Sequence, residues 1–231
     1  MDRTTTQSAM WASFIAALFA IFGSCAVVQA GEPSVQKYPE TVAVLQLLYV
    51  SEVKAGYRYE LYAKAAAREG YDNIAHMLTA MAASEAVHAK SYHFILKSLD
   101  VEPPLVDTES IKPATTQANL KFATEVELSE IDKEYPRYLK RIKAEEHVEA
   151  IKMITYAWQA EEQHRALIKE IKGATGMFFS SLLDYFRTNP SHYYVNDVCG
   201  ATVTEIPESS CPICHLDLLT YREIPRPTYA D

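Results

Sequence analysis

Glycine is scarce in this chain, seven in 231 residues, while 48% of the residues are hydrophobic. Turn-dense all-β architectures need glycine at many bends, so the composition favours helices around a sizeable core. Basic residues are also short, 22 Lys and Arg against 30 Asp and Glu, for a net charge of −8. Nucleic-acid binding wants a basic face, and this balance argues against it. Cysteine is too sparse for a disulfide framework, which uses an even set spread through the fold. Of the four present, Cys199, Cys211 and Cys214 lie together near the C-terminus, an odd cluster that points to a metal. The length allows one substantial domain and a small one.

Residues 1–30 read as a targeting segment. Arg3 precedes an apolar run from Met10 to Val28, and Val28-Gln29-Ala30 before Gly31 has the small residues of a signal-peptidase site. A cleaved signal is the expectation. The alternatives are an uncleaved membrane anchor, for which the run is nearly long enough, and a lipoprotein at Cys25, where Phe22 makes a poor box. Each places the functional part outside the cytoplasm, in the periplasm.

Helical periodicity dominates from Pro39 onward. One helix is expected from Pro39 to the Glu69-Gly70 turn, a second over about 71–99, a third over about 115–144 and a fourth over about 147–172, ending at Gly173. A long crossover through Pro103, Pro104 and Pro113 joins the second to the third. Pro136 should bend the third helix. A short amphipathic segment from Met177 to Phe186 follows, and Asn189-Pro190-Ser191 marks a boundary. The expected domains are a bundle over 38–187 and a C-terminal module over 191–231.

Two stretches carry the chemistry: Glu85-Ala-Val-His88 and Glu161-Glu-Gln-His164. On a helix, residues three apart share a side. Glu52 lies 33 residues before Glu85, and Glu127 lies 34 before Glu161. One Glu from each of two helices, with Glu-x-x-His from each of the other two, is the carboxylate-bridged dimetal pattern of a four-helix bundle. Glu130, one turn beyond Glu127, adds a seventh donor; the equivalent position of the first helix is Ala55. The halves look like an internal duplication. Carboxylates bridge cations and change binding mode with metal charge, and a neutral imidazole suits iron. Burying five acids without cations is very unfavourable, so inward Glu at matched heights implies metal. Tyr59 and Tyr135 are placed to donate hydrogen bonds around the site, although core packing suits each nearly as well. His76, His93 and His147 have no such partner pattern and read as surface or structural.

These motifs resemble those of the rubrerythrin family. Tyr49-Val-Ser-Glu52-Val-Lys-Ala-Gly-Tyr57-Arg-Tyr59, Ala83-Ser-Glu85-Ala-Val-His88, Glu127-x-x-Glu130 with Tyr135-Pro136, and Ala160-Glu161-Glu-Gln-His164 are similar to its four helix motifs. Tyr194-Val-Asn196-Asp-Val-Cys199-Gly-Ala-Thr-Val and Cys211-Pro-Ile-Cys214 resemble its rubredoxin-like knuckles. The resemblance implies a mainly α, ferritin-like four-helix bundle with a small rubredoxin-like metal-knuckle domain. It implies two irons in the bundle and one iron or zinc at the three cysteines. The implied reaction is reduction of hydrogen peroxide to water, with electrons from a separate donor, often across a head-to-tail homodimer. Glu52, Glu85 and His88 would mainly serve one iron and Glu127, Glu161 and His164 the other, with Glu130 rearranging with redox state.

Two departures stand out. Family members are usually cytosolic, and the first knuckle cysteine is replaced by Asn196. A fourth ligand would then be Asn196, water, His192 or His215. The competing readings are a ferritin-like iron-binding ferroxidase and a c-type haem carrier, the latter from Cys211-Pro-Ile-Cys214-His215.

Overall fold

The structure is a computed structural model that describes residues 37–175 and 192–229, without the side chains of residues 126–128, 130 and 168–175. The N-terminal run 1–30 and the segment Met177 to Phe186 lie outside the described residues. Among the described residues, no helix is long and apolar enough to cross a membrane.

Helix α1 (Pro39–Arg68) opens on proline with Glu40 in its first turn, where a fixed φ and an acid both favour a helix start. It stops at Gly70, whose φ of +79° is the left-handed conformation glycine adopts without strain. Helix α2 (Asp72–Ser98) runs back beside it. After the crossover come α3 (Thr116–Ser129), a π-helical turn (Glu130–Glu134), α4 (Tyr135–Ile142) and a 3-10 turn (Lys143–Glu145). Glu146, at φ +52°, makes the second reversal into α5 (Val148–Thr175). Gly173 does not end this helix as expected; one glycine costs only about 1 kcal/mol inside a helix.

The π-helical turn answers a counting mismatch. Glu52 precedes Tyr59 by seven residues, but Glu127 precedes Tyr135 by eight. A π-turn absorbs one extra residue, so Tyr135 returns to the inward face that Tyr59 occupies in α1. Pro136 lies two residues beyond the turn and has no N–H to give it. The Trp158 indole N–H of α5 donates to the Ile131 carbonyl within the turn at 3.0 Å.

The two hairpins cap each other. Glu69, in the first reversal, accepts the Thr116 N–H at the start of α3 (3.1 Å). Glu145, in the second, accepts the Glu40 and Thr41 N–H groups at the start of α1 (2.9 and 2.8 Å). Two apolar clusters then fill the bundle. One contains Val42, Leu45, Leu48, Tyr92, Ile95, Leu96, Tyr135, Ile142 and Ile154. The other contains Tyr59, Tyr62, Ala66, Ile74, Leu78, Met81 and Ala123. The polar residues of the candidate site lie between them.

The C-terminal module is an antiparallel sheet of order β2-β1-β3, with β1 Tyr194–Asn196, β2 Thr202–Val203 and β3 Tyr221–Glu223. It packs on α2 and α5. His76 of α2 bonds through Nε2 to the Ile224 carbonyl (2.7 Å), and its ring meets Tyr193 edge-on. That contact gives His76 the structural role expected of it.

Glu145 is held below the usual carboxylate range. Its slight burial opposes the charge, but the α1 N–H groups outweigh that. A depressed folded-state value stabilises above the unfolded value and is lost as pH falls through the folded one. Glu145→Gln should therefore cost about 1 kcal/mol at neutral pH. The gap from wild type should close under acid, measured by urea unfolding of both proteins across that range.

Candidate metal centre

Glu52, Glu85, His88, Glu161 and His164 are each 4% exposed or less. α1 supplies Glu52, α2 supplies Glu85 and His88, and α5 supplies Glu161 and His164. Both imidazoles turn Nδ1 inward. Glu85 puts Oε2 3.2 Å from His88 Nδ1 and Oε1 3.6 Å from His164 Nδ1. Glu161 mirrors it, with Oε1 3.6 Å from His88 Nδ1 and Oε2 3.2 Å from His164 Nδ1. Each of these carboxylates thus spans both histidines. The shorter contact of each is to the histidine of its own motif, as in the expected partition, and the longer one adds a reach to the other half. Helix geometry sets it: the i, i+3 pairs of two facing helices meet at one level, so each glutamate lies between two imidazoles.

Glu52 belongs to one end. Its Oε2 is 3.7 Å from His88 Nδ1 and its Oε1 accepts the Tyr135 hydroxyl at 2.8 Å. The backbones of Glu127 and Glu130 lie at the end of α3 and the start of the π-turn, but their side chains lie outside the described residues. Tyr59 is buried and packs edge-on against Tyr62. Tyr92 was not anticipated. It is fully buried seven residues after Glu85, on the same helix face, and a two-turn spacing from a ligand was the available signal.

The electrostatics suit cations, which can take the place of the protons that this acid-rich site otherwise holds. Burial pushes the Glu85 carboxyl well up, and the neighbouring Glu161 and Glu52 push it further. Burial alone would lower His88, but Glu52, Glu161 and the Cys199 carbonyl outweigh it and raise the value. Burial, then Glu52, keeps the Tyr135 and Tyr92 hydroxyls protonated. Carboxylate oxygens and imidazole nitrogens converging in a buried, acid-rich cavity fit a pair of divalent metals of the iron type.

The module closes the site over the histidines. His88 Nε2 meets the Cys199 carbonyl at 3.2 Å, and His164 Nε2 meets Thr202 Oγ1 at 3.2 Å. Ser84 Oγ donates to the Gly200 carbonyl at 2.6 Å. Gly200 has φ +76°, and a Cβ there would stand 2.2 Å from His88 Nε2, so only glycine permits this approach. Ser84, Gly200 and Thr202 gave no sign of this role in the sequence, because a chain that folds back 38 to 116 residues later leaves no local pattern.

Cys199, Cys211 and Cys214 converge into one buried cluster, with Cys199 Sγ 3.6 Å from Cys211 Sγ. Burial raises the Cys199 thiol further than its backbone contact lowers it. Asn196 stands at the fourth corner: its Oδ1 accepts the Val198 and Cys199 N–H groups (2.9 and 3.2 Å) and lies 3.9 Å from Cys214 Sγ. His192 pairs instead with Glu223 at the surface, and His215 is exposed. Neither joins the cluster, which removes both histidines from the four expected candidates for its fourth ligand. Cys211 and Cys214 face Cys199, an arrangement suited to a thiolate-bound metal and not to haem attachment.

Glu85→Ala and His164→Ala should each lose bound metal while keeping helical content, because the two apolar clusters carry the bundle. Metal analysis with far-ultraviolet circular dichroism checks this. Two bundle metals retained in both variants would remove the assignment.

A family model for rubrerythrin matches residues 44–172. Rubrerythrin-2 of Clostridium acetobutylicum is 30% identical over 174 residues, covering 75% of this chain and 91% of that protein. Nigerythrin of Nitratidesulfovibrio vulgaris is 24% identical over 176 residues, covering 75% and 81%. Among solved structures, fully reduced, all-ferrous nigerythrin superposes with a TM-score of 0.67 at 22% identity, covering 85% of this chain and 91% of that one. A Desulfovibrio desulfuricans bacterioferritin reaches 0.60 at 17% identity, covering 67% and 90%. These structural likenesses are of fold. With the family model spanning more than half of the chain, and the buried Glu and His residues meeting where a dimetal bundle needs them, the chain belongs to the rubrerythrin family of ferritin-like diiron proteins.

Proposed function

We propose that this chain is an exported diiron peroxidase that reduces hydrogen peroxide to water and draws its electrons through the C-terminal cysteine cluster. Family membership supports the broader reading, a diiron oxidoreductase of oxidative-stress defence. One observation carries the finer one: the Cys199 carbonyl sits on His88 Nε2 at 3.2 Å. A candidate electron-carrying cluster thereby lies one hydrogen bond from a metal ligand.

The reaction is H2O2 + 2 e− + 2 H+ → 2 H2O. Two irons held by Glu52, Glu85, His88, Glu161 and His164, with Glu127 and Glu130 as further ligands, would supply the electrons that break the O–O bond. The chain supplies the rest. Glu85 and Glu161 each reach both histidines and would serve both metal positions. The Cys199 carbonyl, an acceptor only, makes His88 the donor at Nε2 and leaves Nδ1 bare for metal. Tyr135 fixes one Glu52 oxygen and, with Tyr92, keeps a hydroxyl proton beside the site. Burial keeps bulk water from the site.

Asn196 favours a second reading, a ferritin-like ferroxidase, because a three-thiolate cluster departs from the usual all-thiolate electron entry. Rapid mixing of the diferrous protein with each oxidant separates the two. The peroxidase should react faster with peroxide than with oxygen and hold a few irons per chain. A preference for oxygen, or many irons per chain, would favour the ferroxidase.

Donor-supported turnover should fall in a folded Cys211→Ser, Cys214→Ser double variant and rise in Asn196→Cys. Unchanged turnover in the double variant would exclude the cluster as the electron entry. The Met10–Val28 run and the Ala30 site motivate export. Cell fractionation with N-terminal sequencing tests it, and a cytoplasmic chain beginning at Met1 would refute it. The family also points to a homodimer, which sedimentation of the soluble fragment checks; a monomer at working concentration would refute that.

A further inference from the structure

We propose that Thr202 of the C-terminal module is a positioning residue for the second histidine of the bundle, its hydroxyl fixing the tautomer and aim of His164. The inference rests on the diiron reading above and adds to it a residue outside the bundle.

Three contacts of Thr202 converge on this role. Its amide donates to Gln163 Oε1 at 3.1 Å, which pins the residue beside His164 on α5. Its hydroxyl donates to the Gly200 carbonyl at 3.1 Å. The same oxygen lies 3.2 Å from His164 Nε2. A threonine hydroxyl has one proton to give. With that proton on Gly200, the oxygen faces the imidazole with lone pairs and is set to accept from Nε2. His164 then carries its hydrogen on Nε2 and turns a bare Nδ1 towards Glu161 Oε2 and Glu85 Oε1, at 3.2 and 3.6 Å. A metal needs that lone pair. His164 is fully buried, so no water replaces the hydroxyl if it is removed.

Thr202 also makes His164 depend on how the module is seated. The Gly200 carbonyl that orders the Thr202 hydroxyl is itself held by Ser84 Oγ of α2 at 2.6 Å. In β2, Thr202 pairs with Val195 of β1, so a valine at this position keeps both the strand and the shape. The hydroxyl alone can therefore be removed.

The test compares the full-length wild type with Thr202→Val and Thr202→Ser, each checked for helical content. Anaerobic titration with Fe(II) alone reads affinity. Nitrogen-15 NMR of the metal-free chain, at a pH where the ring is neutral, reads the His164 tautomer. Thr202→Val should weaken one of two Fe(II) sites by about tenfold or more, and mix the His164 tautomers while leaving His88 unchanged. Thr202→Ser should match wild type in both. Wild-type affinity and an unmixed tautomer in Thr202→Val would overturn the proposal, as would a serine variant as impaired as the valine one. If wild type itself takes up no pair of Fe(II), the diiron reading fails, and the tautomer comparison still decides the role of Thr202.

Discussion

Three buried glutamates within reach of one another are the constraint on which the rest of the structure depends. Glu52, Glu85 and Glu161 meet deep in the bundle, where burial leaves their mutual repulsion poorly screened. Such a layer is tolerable when protons or cations neutralise it and the surrounding frame holds it in place. The frame is the pair of apolar clusters on either side of the site. Long helices are needed to reach from one cluster through the acidic layer to the other. The reciprocal caps at Glu69 and Glu145 keep the two hairpins from sliding along each other.

The acidic layer is also why the C-terminal module matters to the bundle. Each imidazole has one nitrogen for the metal, and its other nitrogen is buried and needs a partner. Residues 199–202 of the module supply both partners, a carbonyl to His88 and a hydroxyl to His164. Docking is anchored well away from these contacts by His76 on Ile224 and by Tyr193, so registration does not rest on the histidines alone. The module therefore completes the candidate metal centre as well as carrying a three-cysteine cluster that could hold a metal of its own.

The helices and most of the candidate ligands were legible because their signals are local. Glu-x-x-His needs only helical periodicity, and matched distances to Gly70 and Glu146 set the two halves at one height. The π-turn was legible only as a count, seven residues from Glu52 to Tyr59 against eight from Glu127 to Tyr135. Pro136 drew the expectation of a bend instead. The spanning role of Glu85 and Glu161 was not legible, since it depends on how two helices face each other. Ser84, Gly200 and Thr202 were invisible for the same reason. Thr202 reads as an ordinary strand threonine until the strand is seen against α5.

Asn196 shows how the knuckle survives the loss of a thiolate. At the position where the knuckle pattern would have its first cysteine, a side-chain acceptor holds the turn that follows. The Asn196 carboxamide does this by accepting the Val198 and Cys199 N–H groups, while its amide donates to Thr220 Oγ1 at 2.6 Å. The turn at Gly200 is thus held without the fourth cysteine, and with it the Cys199 carbonyl and Thr202 hydroxyl that grip the histidines. The seating of the module on the bundle and the donor set of its cysteine cluster are therefore separable properties: an amide oxygen in place of a sulfur changes the second and leaves the first intact.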